Sequence, residues 1–165
     1  MVTSGPKNTI SVLFVCLGNI CRSPTADGVF GTIVKREGLA GDIKVDSCGT
    51  AAYHVGESPD SRSAAAAKKR GYDLSSLRAR QLSKQDFRDF DYILAMDDSN
   101  LSNCQRVCPK GFSGHLSLFT EFSEQFHNQP VPDPYYGGAN GFNHVLDIVE
   151  DASKGLLKHI TENDF

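Results

Sequence analysis

One short run limits what this chain can fold into: Ser11-Val12-Leu13-Phe14-Val15-Cys16-Leu17-Gly18-Asn19-Ile20-Cys21-Arg22-Ser23-Pro24. Ile10 to Val15 is apolar and largely β-branched apart from Ser11, the pattern of a parallel strand buried on both faces. Ser23-Pro24 reads as a helix opening, with Ser at the N-cap and Pro at the first helical position. The loop between them is short and ends on a helix N-terminus. Such a loop turns several backbone N–H groups toward one point, and that point suits a tetrahedral oxyanion.

The side chains of the run say what chemistry such a cradle would host. Cys16 falls at the carboxyl end of the strand, beneath the anion. A free cysteine has a pKa near ~8.5, and the helix dipole, the loop amides of Leu17, Gly18, Asn19, Ile20, Cys21 and Arg22, and a guanidinium all favour the thiolate. Arg22 carries a fixed charge on a planar fork that matches two phosphate oxygens. Ser23 is placed to donate a hydrogen bond to the sulfur. Gly18 and Asn19 are the residue types most willing to enter left-handed backbone geometry, which a tight cradle needs. Cys21 lies in the same loop as Cys16, so the two sulfurs can come within disulfide range. A sulfenic acid formed on Cys16 could then be trapped reversibly by Cys21.

The decapeptide Val15 to Pro24 resembles the signature loop of the low-molecular-weight protein tyrosine phosphatases, and the resemblance extends from about Ile10 to Leu157. It implies a cytosolic hydrolase that acts on phosphotyrosine proteins or peptides and small aryl phosphates through a phosphocysteine intermediate, releases inorganic phosphate, and needs no cofactor or metal. A second motif, Val131-Pro132-Asp133-Pro134-Tyr135-Tyr136, looks like the family's general-acid loop. Its prolines keep Asp133 out of helix and on a stiff segment, where a carboxyl could protonate a leaving oxygen and later deprotonate water. Tyr135 and Tyr136 fit the aromatic edge that grips a phenyl ring. By resemblance, Ser47 hydrogen-bonds Asn19, and Tyr53 walls the substrate cleft, whose rim also includes Leu17. The family often carries a His before Ala-Arg-Gln; here Ser76-Leu77-Arg78 occupies that region, so any help from that His is absent or supplied otherwise.

Three other readings use the same loop. An arsenate reductase needs distal cysteines to relay a disulfide; Cys104 and Cys108 are available but lack that family's pattern. A protein arginine phosphatase carries a polar Thr where this chain has Ile20. A phosphopeptide-binding module would have no use for Cys16, Arg22 and Asp133 together.

The rest of the chain bounds these readings. Its 165 residues suggest one domain over 10–165 after a loose tail over 1–9. A net charge of −3, without clustered basic residues, argues against nucleic acid. No apolar run is long enough to span a membrane, and no secretory signal is visible, so the cytoplasm is expected. The odd count of 5 cysteines suits reduced thiols. Cys104, Cys108 and His115 lack the second ligand pair that a zinc site requires.

Periodicity places helices over 25–37, from Ser58-Pro59-Asp60 to about Arg70, from Asp97 onward, and over 143–161. Strands are expected over 10–15, 42–46, 91–96 and 115–119, with Ser47 and Cys48 in the loop after the second. The alternation implies a three-layer α/β fold, a four-stranded parallel sheet in the order 2-1-3-4, flavodoxin-like, with the site at the switch point beside the first strand. Asp97, at the carboxyl end of the third strand, is either an active-site residue or a helix cap.

Overall fold

The structure is a computed structural model that describes residues 9–135 and 140–165. Of the expected tail, residues 1–8 lie outside the described residues, as does Tyr136. Four parallel strands form the sheet: β1 (Ile10–Cys16), β2 (Ile43–Gly49), β3 (Tyr92–Ala95) and β4 (His115–Leu118), in the order β2-β1-β3-β4. This is the expected topology. β1 is central because it is the strand that can be buried on both faces. Val12, Phe14 and Cys16 face one layer, and Leu13 and Val15 the other.

The helices are α1 (Arg22–Arg36), α2 (Ser61–Lys69), α3 (Asp86–Asp89), α4 (Asp98–Val107) and α5 (Asn140–Asn163). α1 and α5 cover the Val12–Phe14 face, where Phe14 meets Phe30 edge-on at 5.8 Å and Phe119 at 4.8 Å between ring centroids. Val29, Phe30 and Val34 of α1, and Val145, Ile148, Val149, Ala152 and Leu156 of α5, are buried as their spacing required. α3 and α4 cover the other face over Leu13, Val15, Cys48, Phe87, Ile93 and Cys104.

Several boundaries differ from the sequence reading. α1 starts at Arg22 with Cys21 as its N-cap, so Ser23 and Pro24 fall inside the first turn. Pro24 is tolerated there because the first four helical N–H groups have no partner in the helix. Asp60 rather than Ser58 caps α2, by accepting from Arg62 N. β2 runs on to Gly49, so Ser47 and Cys48 are strand residues. It continues because β1 supplies the ladder as far as Cys16, opposite Gly49.

Two features of this packing have measurable consequences. Gly155 in α5 lies against the 3-10 turn Phe119–Phe122, and a Cβ built on it would overlap the Phe122 carbonyl. In an open helix Gly→Ala gains about 1 kcal/mol. Here the overlap is with backbone, and overpacking costs about 1–3 kcal/mol. Gly155→Ala is therefore expected to lower the urea midpoint; a raised midpoint would show that the two elements do not pack this closely.

Asp27 lies in α1 and is 8% exposed. Burial, with Asp46 adding to it, pushes its carboxyl up to about 7, against the pull of a hydrogen bond from Ser47 and the charge of Arg80. The folded chain thus holds this proton more tightly than the unfolded chain does. Stability from this group is present below about pH 4 and falls as pH rises through about 7, by at most about 4 kcal/mol. Urea unfolding of Asp27→Asn should show a flatter profile, with its largest advantage over wild type near pH 8. Parallel profiles would mean Asp27 ionises normally.

Candidate active site

The cradle is built by pulling loop carbonyls outward. Thr50 N donates to Cys16 O (2.9 Å), Ala51 N to Leu17 O (3.0 Å), Asp60 N to Ile20 O (2.8 Å), and the Thr25 hydroxyl to Cys21 O (2.7 Å). β2 can come this close because residue 49 is glycine: a Cβ there would stand 2.6 Å from Leu17 O and 3.1 Å from Asn19 N. With the carbonyls turned away, the N–H groups of Leu17, Gly18, Ile20 and Cys21 have no protein acceptor among the described residues. They are the donors an oxyanion would use.

Asn19 is the keystone of the loop, at φ 58° in the left-handed region. Its N–H points at Cys16 Sγ (3.3 Å). Its carboxamide donates to Ser23 Oγ (2.8 Å) and Ser47 Oγ (3.0 Å) and accepts from Arg80 N (3.0 Å). The Ser47–Asn19 contact expected from resemblance is present, made from strand β2. Ser23 Oγ lies 2.9 Å from Cys16 Sγ and 3.2 Å from Cys48 O. Because Asn19 donates to it, the Ser23 hydroxyl keeps its own proton for the sulfur or for that carbonyl.

Arg22 is 3% exposed. Its Nη1 donates to Asp97 Oδ2 (2.6 Å) and Val131 O (3.1 Å), and its Nη2 stands 3.7 Å from Asp133 Oδ2. Asp97 also caps α4 by accepting from Asn100 N (2.8 Å), so the helix-cap role weighed for it from sequence is present, and its other oxygen holds Arg22. Asp133 accepts from Tyr135 N (3.0 Å). The adjoining ring of Tyr135 stacks on Arg62, 5.3 Å from guanidinium carbon to ring centroid. The same guanidinium lies 4.9 Å from the Phe142 centroid and pairs with Asp60 (2.9 Å). Arg62 thereby ties the Asp133 loop to α2 and α5.

Cys16, Leu17, Gly18, Ile20, Cys21, Arg22, Tyr53, Asp133 and Tyr135 line one cleft of about 260 Å³, with His54 as an unforeseen member. The His54 ring packs beside Gly18, and its Nδ1 stands 3.2 Å from both Glu57 carboxylate oxygens. No motif contains His54; its one signal is its place next to Tyr53.

The two loop cysteines differ in surroundings. Cys21 is buried among Asp60, Asp133 and Cys16, and burial first and those charges second push its thiol up to about 12, against a hydrogen bond from Ser63. The Cys48 side chain packs on the opposite face of the sheet, with Leu13 and Val15, and its carbonyl accepts from Ser23. Burial raises the Cys48 thiol well above the usual range. The described residues hold no group of three or more His, Cys, Asp or Glu side chains placed for a metal. His115, weighed with Cys104 and Cys108 as a ligand, stands 2.7 Å from a Glu121 carboxylate oxygen. No described helix is long and apolar enough to cross a membrane.

The sequence profile of the family described as low molecular weight phosphotyrosine protein phosphatase matches residues 11–164. The protein of that name from Schizosaccharomyces pombe is 49% identical over 152 residues, covering 92% of this chain and 97% of its own. The human protein of the same name is 42% identical over 152 residues, covering 91% and 95%. Among solved structures, a protein tyrosine phosphatase from Entamoeba histolytica with Hepes in its active site superposes with a TM-score of 0.90 at 39% identity, covering 95% of this chain and 100% of that one. With a family match over residues 11–164, a matching fold and coverage nearly end to end, the chain belongs to the low molecular weight phosphotyrosine protein phosphatase family.

Proposed function

We propose that the domain over 10–165 hydrolyses phosphotyrosine in proteins and peptides, and small aryl phosphates, by way of a phosphocysteine on Cys16. The observation that carries this is the position of one buried guanidinium. Arg22 lines the cleft with Cys16 and holds Nη2 3.7 Å from the Asp133 carboxylate. Nucleophile, anion clamp and proton source thus surround one small volume.

In the first step the Cys16 sulfur attacks phosphorus, and the bond from phosphorus to the phenolic oxygen breaks. Asp133 gives its proton to the departing phenolate. The loop amides and Arg22 hold the three equatorial oxygens as charge redistributes. In the second step Asp133 takes a proton from water, which attacks phosphorus. The sulfur–phosphorus bond breaks, and Ser23 donates to the leaving thiolate. Inorganic phosphate departs. Ile20, Leu17, Tyr53 and Tyr135 give the cleft apolar flanks suited to a phenyl ring, and Ile20 offers no polar group to a guanidinium substrate. Tyr136 belongs to the same aromatic edge by resemblance.

Cys21 supplies a redox guard. Peroxide converts the Cys16 thiolate to sulfenic acid; the Cys21 sulfur attacks it, water leaves, and a disulfide forms that thiols can reduce. Burial, which pushes Cys21 up to about 12, keeps it from competing as a nucleophile toward phosphorus. A catalytic thiol with four further unpaired cysteines fits a reducing compartment, the cytoplasm.

Cys16→Ser should abolish release of phosphate from phosphotyrosine peptides while leaving peptide binding measurable by calorimetry; wild-type rates would end the mechanism. Asp133→Ala should slow phosphotyrosine hydrolysis by about 10²–10⁴-fold and p-nitrophenyl phosphate hydrolysis much less, because that leaving group needs little protonation. An equal loss on both substrates would remove Asp133 from the acid role. After peroxide treatment, dithiothreitol should restore wild type but little of Cys21→Ser, and equal recovery would exclude the guard.

A further inference from the structure

Two clefts meet at the ridge formed by Leu17 and Tyr53. One is the site described above. The other, about 350 Å³, is lined by the same two side chains, by Gln81 and Leu82, and by Asn103 and Arg106 of α4. The ridge carries large apolar surface at the rim: Leu17 is 40% and Tyr53 74% exposed. No carboxylate lines the second groove, and Arg106 is its one charge. Arg106 is solvent-exposed, and its Nη1 donates to the neutral Oδ1 of Asn103 (3.2 Å); among the described residues no acidic side chain pairs with it. Its place in the last turn of α4 suits a cation on helix-dipole grounds alone. The dipole does not explain why that cation borders a groove that shares its Leu17–Tyr53 wall with the aryl cleft, on a chain of net charge −3.

A phosphotyrosine seated over Cys16 leaves its flanking residues at the rim. In an extended peptide the side chains at i and i±2 share a face, so a residue two positions from the tyrosine faces the same surface and reaches across the ridge. We propose that the second groove is a subsite for an acidic side chain flanking the phosphotyrosine of a peptide substrate, and that Arg106 selects it. The inference rests on the phosphotyrosine reading above. An exposed ion pair of this kind makes a modest preference, about two- to fivefold, and one that salt suppresses.

The test is a set of phosphotyrosine peptides with Glu or Gln two positions before or two positions after the tyrosine. Their kcat/KM values are measured for wild type, Arg106→Lys, Arg106→Gln and Arg106→Glu. The readout is the Glu-to-Gln ratio within each enzyme, so a loss of folded protein cancels. At one of the two positions wild type should prefer Glu two- to fivefold at low salt. At about 1 M salt, where the Debye length is about 3 Å, the ratio should approach one. Arg106→Lys should keep the preference, Arg106→Gln lose it and Arg106→Glu invert it. Equal ratios in wild type and Arg106→Glu at both positions would overturn the subsite and leave the phosphotyrosine reading intact, since the peptides are still turned over. If wild type releases phosphate from none of the peptides, that reading falls and the subsite with it.

Discussion

The backbone N–H of Arg80 reaches Asn19 Oδ1 at 3.0 Å, and the orientation of the whole cradle follows from that bond. It leaves the Asn19 carboxamide no choice of direction: oxygen toward Arg80, nitrogen toward Ser23 and Ser47. Both hydrogens of that nitrogen are then spent on serine oxygens, and each serine keeps its own proton to give onward. Ser47 donates a hydrogen bond to Asp27, and Ser23 can donate one to Cys16. A polarised run of donors thus leads from a backbone amide in the segment after α2 to the sulfur. It also holds Asn19 in a conformation that side chains other than glycine resist.

A second constraint is the burial of Arg22. A guanidinium taken out of water must be paired, or the fold loses several kcal/mol. Asp97 and the Val131 carbonyl do the pairing, and this decides where two otherwise separate segments go. Asp97 brings the β3–α4 junction to the loop. Val131 brings the acid loop, which is further tied to the sheet by its own N–H donating to Met96 O at 2.8 Å. Asp133 lies two residues beyond that anchor, and Arg62 holds the far side of the segment through Tyr135. The Asp133 carboxylate therefore shares the cleft with the Cys16 sulfur because the buried Arg22 guanidinium needed partners.

The sheet, its strand order and the faces of α1 and α5 were legible because each depends on hydrophobic period, which survives in a single sequence. The loop was legible because its residue types are chemically unusual together. What periodicity does not carry is any contact set by one atom. The Arg80 N–H could not be read, since every residue but proline has one. His54 and Arg106 sit in no motif, and only the fold brings His54 into the cleft and Arg106 to the neighbouring groove. Asp27 did leave a trace, a carboxylate between Ala26 and Val29 on an otherwise apolar helix face. Ser47 was rightly paired with Asn19, yet assigned to a loop, because strand propensity falls at Ser-Cys-Gly while the β1 ladder does not.

The same loop shows why composition alone cannot assign its two cysteines. Both are buried, at 3% and 4% exposure, so burial does not distinguish them. Cys16 has the Asn19 N–H at 3.3 Å and the Ser23 hydroxyl at 2.9 Å, both able to donate to a negative sulfur. Cys21 faces Asp60 and Asp133, both of which repel a thiolate. Identical side chains five positions apart are thus given opposite surroundings, donors at one sulfur and carboxylates at the other, and this is the division that the proposed mechanism uses. An oxidised Cys16 changes that division, because sulfenic sulfur is an electrophile. In the proposed guard Cys21 then needs only proximity and a departing proton, so a raised thiol that is a poor nucleophile toward phosphorus can still close a disulfide.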